Sequence, residues 1–241
     1  MRTTRRSATG CSRTSSPRPA SPLRRTGCGD CVRPLVSSPP TTAAGARPVN
    51  PAPPVHDDLL AVVDEKGRVT HEFVAGAPNE VWLTDITEHP TGEGKLYLCA
   101  IKDVFSNKIV GYSIDSRMKS SLAASALRTA IGLRSPAGTV CHSDRGSQFR
   151  SKKVVRILKN NGLRGSMGRV ASAGDNAAME SFFSLLQKNV LDTRRWNTRE
   201  ELRLAIVVWI ETKYNRRRRQ RALGKLTPVK FEMIYAAADA A

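Results

Sequence analysis

Three β-rich runs follow one another so closely that little but an antiparallel meander can join them. They are Val81-Trp-Leu-Thr-Asp-Ile-Thr87, Lys95-Leu-Tyr-Leu-Cys-Ala-Ile-Lys-Asp103 and Lys108-Ile-Val-Gly-Tyr-Ser-Ile-Asp115. The breaks between them are too short for a crossover helix and carry Gly, Pro, Ser and Asn, as hairpin loops do. Beyond the third run the period changes. Apolar residues at 122, 126, 127, 130 and 131 predict a helix that starts at a Ser120 or Ser121 cap and runs to about Leu133. Ser135-Pro-Ala-Gly138 ends it. Thr139-Val-Cys-His-Ser143 reads as a fourth strand, 151–160 as a helix closed by Asn161-Gly162, and 163–167 as a short fifth strand. Asp175 suits the N-cap of a helix from Asn176 to about Val190, and a further helix covers 198–214. Strands that first meander and then alternate with helices describe an α/β layer architecture, a five-stranded mixed sheet flanked by helices.

The flanks differ in kind. Residues 1–55 are rich in Ser, Thr, Pro, Arg and Ala and hold no helical or strand period, so the expectation is a disordered tail and linker. The organisation read from the sequence is therefore a tail over 1–55, an α/β core over 75–195 and a helical, basic extension over 196–241. Net charge is +18 over 241 residues. Residues 1–50 hold nine Arg, no Lys and one Asp, a net +8 that leaves +10 for the rest. Excess positive charge favours a polyanion, because neutralised phosphates release condensed counterions; an arginine-rich coding composition is the bland alternative. No run of eighteen apolar residues exists and no apolar h-region follows the N-terminal arginines, so neither a membrane span nor a secretory signal is expected. Five cysteines, an odd number, point to a reducing compartment. Cys28-Gly-Asp-Cys31 has zinc-like spacing but no second Cys or His pair nearby, while Cys99 and Cys141 sit in strand-like runs and read as core.

Three acids stand out by position. Asp85 lies on the first strand, Asp144 ends the fourth, and Glu180 lies one turn into the helix after Asp175. Taken singly, each has an ordinary reading as a turn residue or a helix N-terminal charge. Converged, they suit phosphoryl transfer, in which two hard cations roughly 3.5–4 Å apart clamp the attacking and leaving oxygens.

The words around the acids carry a resemblance. Trp82-Leu-Thr-Asp85-Ile-Thr, His142-Ser-Asp144-Arg-Gly-Ser-Gln148-Phe and Asp175-Asn-Ala-Ala-Met-Glu180-Ser-Phe-Phe resemble the three motifs of integrase-core DDE transposases, specifically the insertion sequence three group. Fifty-eight residues separate the aspartates and thirty-five separate Asp144 from Glu180, the spacing of that signature. The stretch from Tyr214 to Pro228 also resembles the group's C-terminal motif. The resemblance implies a ribonuclease-H-like fold and the chemistry of DNA 3′-end cleavage and strand transfer. It implies that Asp85, Asp144 and Glu180 bind two Mg²⁺ (or Mn²⁺) ions and that DNA, as element ends and target, is the partner of a homo-oligomer. His142 is read as a support for the carboxylates or as a core histidine, and Asn176 as a fixer of the helix start. Arg145, Gln148, Gln187, Lys188 and the run Arg216, Arg217, Arg218, Arg219 and Arg221 are candidate DNA contacts. Gln187 is a departure: the group usually places a basic residue there, on about the same helix face as Glu180. Members also carry a helix-turn-helix region before the core. Residues 1–50 show none, so a frameshifted or misassigned start, with a helix-turn-helix partner from a second reading frame, is expected. The rival readings are a degenerate DNA-binding remnant, a ribonuclease-H-like nuclease and a zinc-binding regulator.

Overall fold

Period-two burial along the β-rich runs builds a sheet whose two faces bury different helices. The computed structural model describes residues 55–239 except 64, 66, 68, 72 and 169–176, all within the unit Val49–Ala241. The expected tail up to residue 54, the Cys28–Cys31 pair and the Asp175 cap with Asn176 lie outside the described residues.

A short antiparallel hairpin, β1 (Ala61–Val63) and β2 (Val69–His71), precedes the main sheet. The meander follows as β3 (Val81–Thr91), β4 (Gly94–Asp103) and β5 (Ile109–Asp115). Helix α1 (Ser120–Arg134) leads to β6 (Val140–Ser143), and α2 (Lys152–Asn160) to β7 (Arg164–Met167). The strand order is β5-β4-β3-β6-β7. The meander is antiparallel, whereas β6 and β7 run parallel to β3, as right-handed crossover units require. Three helices complete the unit: α3 (Ala177–Asn189), α4 (Arg199–Val208) and α5 (Pro228–Asp239).

Trp82, Cys99, Ile101, Cys141 and Met167 turn toward α1 and α2 in one buried cluster. Leu83, Leu98 and Ala100, their neighbours in sequence, turn the other way, toward Met179, Phe182 and Leu186 of α3 and Leu202 and Ile206 of α4. Both faces are covered, which is why β4 reads as a continuous apolar run rather than an alternating one. Cys99 and Cys141 are free, buried thiols, and burial pushes both up to about 12. Close approach on the first face depends on small residues. A Cβ at Gly111 would lie 2.6 Å from Ala130 Cβ and 2.7 Å from the Ala126 carbonyl.

Several elements differ from expectation. No side chain caps α1: Lys119 is its N-cap, and the Lys119 carbonyl closes the first turn onto the Leu122 N–H. β3 runs on past Thr87 to Thr91, because Pro90 and Thr91 pair with Lys95 and Gly94 in a hairpin that projects beyond the sheet. The last helix of the core is not uniform to Tyr214. It widens into a π-helix over Trp209–Tyr214. The wider turn brings Tyr214, rather than Lys213, under Trp209, with ring centroids 5.4 Å apart, and Phe182 packs edge-on to Tyr214 at 5.0 Å. Hairpin β1–β2 has no counterpart among the elements that the sequence pattern predicts.

The segment after the π-helix is pinned at several points. The Asn215 amide pairs with both backbone groups of Ile109 at 3.0 and 3.1 Å, extending edge strand β5 by one side chain. Glu232 of α5 meets Arg134 at 2.9 Å and Lys108 at 2.8 Å. Burial works the other way, yet Lys108, Arg134 and Ser106 hold the Glu232 carboxyl below the usual carboxylate range.

Gly111→Ala is expected to lower stability by about 1–3 kcal/mol, the cost of overpacking a filled core. Urea unfolding monitored by circular dichroism checks this; an unchanged midpoint would show that α1 can retreat freely.

Candidate active site

The register between β3 and β6 aligns the first two acids. Trp82 pairs with Cys141 and Leu83 with His142. Continued two residues, that parallel register sets Asp85 abreast of Asp144, at the C-terminal end of β6, where ligand-binding residues of such sheets lie. Leu83 points into the cluster under α3, so Asp85, two residues on, shares that face. Glu180 stands in the first turn of α3, whose Met179 and Phe182 anchor it on the same cluster. A negative side chain is favoured there by the helix dipole.

The three environments differ. Asp85 is half-buried and accepts the Ile86 N–H at 2.7 Å. Burial first, then the negative charges of Asp144 and Glu180, raise its carboxyl from the ordinary 3.8 to about 6, although the Ile86 N–H opposes this. Asp144 and Glu180 are exposed. The Asp144 carboxylate accepts the Gly146 N–H at 3.0 Å. A Cβ on Gly146 would sit 2.9 Å from that same oxygen, so a larger residue there would displace the Asp144 carboxylate. The three acids do not form a set whose ligand atoms all lie within 4.8 Å of one another; the arrangement is open to solvent rather than a closed cage.

Hard oxygen donors, two of them exposed and one raised by burial and then by its neighbours' charge, fit divalent cations of the Mg²⁺ type. A bound cation would offset both the burial and the neighbouring charges that raise Asp85.

Lys102 carries no signal in the sequence, because a lysine in a strand does not reveal where its amine goes. It is buried, and its Nζ donates to the Ala178 carbonyl at 3.0 Å. Burial lowers its amine to about 8. The bond ties β4 to the start of α3, two residues before Glu180.

The remaining candidates divide. His142 is buried on β6, with Ser166 Oγ 2.9 Å from its Nδ1. Arg145 donates to the Gly168 carbonyl at 2.7 Å and so braces the end of β7. Gln148 sits in the loop that caps α2, where its carbonyl accepts from Ser151. Gln187 donates to Asp192, which occupies its amide within the protein, while Lys188 is exposed. Arg216, Arg217, Arg218, Arg219 and Arg221 are all exposed, and among the described residues none makes an ion pair. A second basic patch, Arg128, Lys152, Lys153 and Arg156, lines a groove between α1 and α2 on the far side of the sheet.

A mixed sheet in this order, with acids at the β3–β6 centre and at the start of α3, defines the ribonuclease-H-like integrase core. Family models described as integrase core domain match residues 75–173 and 161–228. The solved catalytic core of HTLV-2 integrase in complex with magnesium superposes with a TM-score of 0.53 at 21% identity, covering 66% of this chain and 99% of that one. The catalytic core of BIV integrase gives 0.50 at 17% identity, over 68% and 99%. At these identities the likeness is one of fold. Among curated relatives, the transposase for insertion sequence element IS904 of Lactococcus lactis is 42% identical over 71% of this chain and 68% of its own length. Transposase InsF for insertion sequence IS3A of Escherichia coli K12 is 37% identical over 74% and 59%. An IS600 31 kDa protein of Shigella sonnei is 43% identical over 68% and 60%. The chain belongs to the integrase-core family of insertion-sequence transposases, and its matched part spans 56–68% of the length of these and similar relatives.

The raised Asp85 carboxyl makes a prediction with a definite sign. Between about pH 4 and about 6 the folded chain keeps a proton that the unfolded chain has released, so stability falls as pH rises through that window. Without divalent cations, Asp85→Asn is therefore expected to exceed the parent's stability by about 1–3 kcal/mol at pH 7.5 and to match it near pH 3.5. Denaturant melts at both pH values test this, and equal differences at the two would refute it.

Proposed function

We propose that the chain is the catalytic subunit of a DNA transposase that frees the 3′ ends of an insertion element and joins them to a target. The observation that carries this is the β3–β6 register, which sets Asp85 abreast of Asp144 beneath α3, with Glu180 in that helix's first turn. Family membership supports it.

In this reading Asp85, Asp144 and Glu180 hold two Mg²⁺ or Mn²⁺ ions. Bound there, the ions neutralise charge on the scissile phosphate and activate a hydroxyl nucleophile. Asp85 presents its carboxylate from a rigid central strand, and Lys102 keeps the start of α3 seated so that Glu180 faces it. Water attacks the phosphorus and the bond to the 3′ oxygen breaks, leaving a 3′-hydroxyl on the element. That hydroxyl then attacks a target phosphodiester, whose own 3′ oxygen departs, so one phosphodiester replaces another.

The unpaired arginines from 216 to 221, with Lys188, take DNA phosphates without reading sequence. The patch at Arg128, Lys152, Lys153 and Arg156 extends positive charge to the opposite face. Recombination at two ends calls for a homo-oligomer on DNA; the HTLV-2 integrase core, solved in a trimeric form, is consistent with this. His142 and Asn176 are supporting residues, and a helix-turn-helix partner from a second reading frame supplies recognition of the ends. The domain division at 1–55, 75–195 and 196–241 and a cytoplasmic, nucleoid-associated location belong to the same proposal. No helix among the described residues is long and apolar enough to cross a membrane. A degenerate DNA-binding remnant is the second reading, and the commitment of Gln187 to Asp192 favours it.

Cleavage and joining of DNA carrying the element's ends, in Mg²⁺ or Mn²⁺, should fall in Glu180→Gln by more than the roughly 10–100-fold that removing a supporting group costs at a metal site. Equal turnover in both proteins would sink the proposal, and DNA binding with no turnover in either would favour the remnant. Replacing Arg216, Arg217, Arg218 and Arg219 by Gln should weaken DNA binding on all sequences. It should also flatten the slope of log K against log salt by about 0.9 for each phosphate that the protein no longer neutralises. An unchanged slope would leave those arginines as a solvated face.

A further inference from the structure

The chain that precedes β3 does more than lead into the sheet. From 56 to 59 it lies along β7: the Asp57 carbonyl accepts the Met167 N–H at 3.3 Å, and the Leu59 N–H donates to Ser166 Oγ at 2.9 Å. The His56 ring covers Gly165, where a Cβ would come within 2.4 Å of it, so a larger residue there would push the ring off β7. This path delivers Asp58 to β2. Asp58 Oδ2 lies 2.7 Å from His71 Nε2, and their side chains are only 13% and 3% exposed. The His71 ring in turn lies 5.8 Å from that of His142, which is 1% exposed.

One ligand atom from each of Asp58, His71 and His142 falls within 4.8 Å of the others. Three separate segments of chain therefore bring two imidazoles and a carboxylate to one buried point. Two ring nitrogens and a carboxylate oxygen at such mutual distances are the donor set and spacing of a three-ligand metal site. Two further features are those of a built metal site. Ser166 Oγ, 2.9 Å from His142 Nδ1, orients that ring; a metal-bound imidazole divides its two nitrogens between the ion and such a partner. Phe73 stacks on His71 at 6.0 Å and meets His142 edge-on at 6.1 Å, walling the point with apolar surface.

We propose that Asp58, His71 and His142 bind a transition-metal dication of the Zn²⁺ type, at a site distinct from Asp85, Asp144 and Glu180. Two nitrogens and one carboxylate oxygen select borderline ions such as Zn²⁺ over hard Mg²⁺, which prefers all-oxygen surroundings. A fourth position is left for water or another donor, as in three-ligand zinc sites. The ion clamps hairpin β1–β2 and the 56–59 segment onto β6, two residues before Asp144. The site does not depend on the proposed DNA chemistry, and it stands or falls separately.

The test uses the full chain with Cys28 and Cys31 replaced by Ser and with Asp85→Asn, Asp144→Asn and Glu180→Gln, so that neither the cysteine pair nor the acids compete. After chelation, Co²⁺ is titrated by visible absorption and Zn²⁺ by competition with a chromophoric chelator. One equivalent of each is expected to bind, with ligand-field bands from Co²⁺ and a higher melting temperature with Zn²⁺. Mg²⁺ should not displace either. His71→Phe should abolish the stoichiometric site. Asp58→Asn, which keeps a hydrogen-bond acceptor for His71 and so preserves the packing, should weaken it. Ser166→Ala should weaken Zn²⁺ binding by about 10–100-fold. Less than one equivalent bound by the folded parent, or unchanged affinity in Asp58→Asn together with His71→Phe, would overturn the proposal.

Discussion

The parallel pairing of β3 with β6 is the constraint on which the rest of the molecule depends. It joins the antiparallel half of the sheet to the parallel half, and both strands are covered on both faces. A slip of one residue would exchange Trp82 with Leu83 and Cys141 with His142, turning each set of side chains to the wrong layer. The same register aligns Asp85 with Asp144. Fold stability and site geometry are thus enforced by one interaction, and a sequence that keeps the sheet keeps the two aspartates together.

Glu180 is held by different means. Its helix is seated by Met179, Phe182 and Leu186, by the aromatic group of Phe182, Trp209 and Tyr214, and by the Lys102 amine on the Ala178 carbonyl. The π-helical widening at Trp209–Tyr214 belongs to this support, because it turns both aromatic rings toward Phe182. From Tyr214 the chain passes at once to Asn215, clamped to β5, and then to the exposed arginines. The basic run is therefore attached to the same packed cluster that positions Glu180.

Much of the fold was legible in the sequence, and the reasons are specific. The three β-rich runs became β3, β4 and β5 because short hairpin connections leave few alternatives. Helix α2 begins at its Ser151 cap, whose hydroxyl accepts the Val154 N–H, and ends at Gly162 with φ +67°. Both are local signals. Hairpin β1–β2 was not legible, because its strands are three residues each and draw their order from contacts made elsewhere, through Asp58, His71 and Ser166. The absence of a side-chain cap on α1 was equally hidden, since Ser120 and Ser121 carry the right chemistry one and two residues too late.

The sequence by itself determined the strand and helix order from β3 onward and the three acids with their flanking words, because periodicity, turn residues and motif spacing are local properties of the chain. Only the tertiary structure decided which polar groups meet. That Lys102 braces α3, that Gln187 spends its amide on Asp192, that Arg145 holds the end of β7, and that Asp58, His71 and His142 share one buried point all depend on segments far apart in sequence. Such meetings are set by sheet register and helix packing, and no pattern within a single segment encodes them.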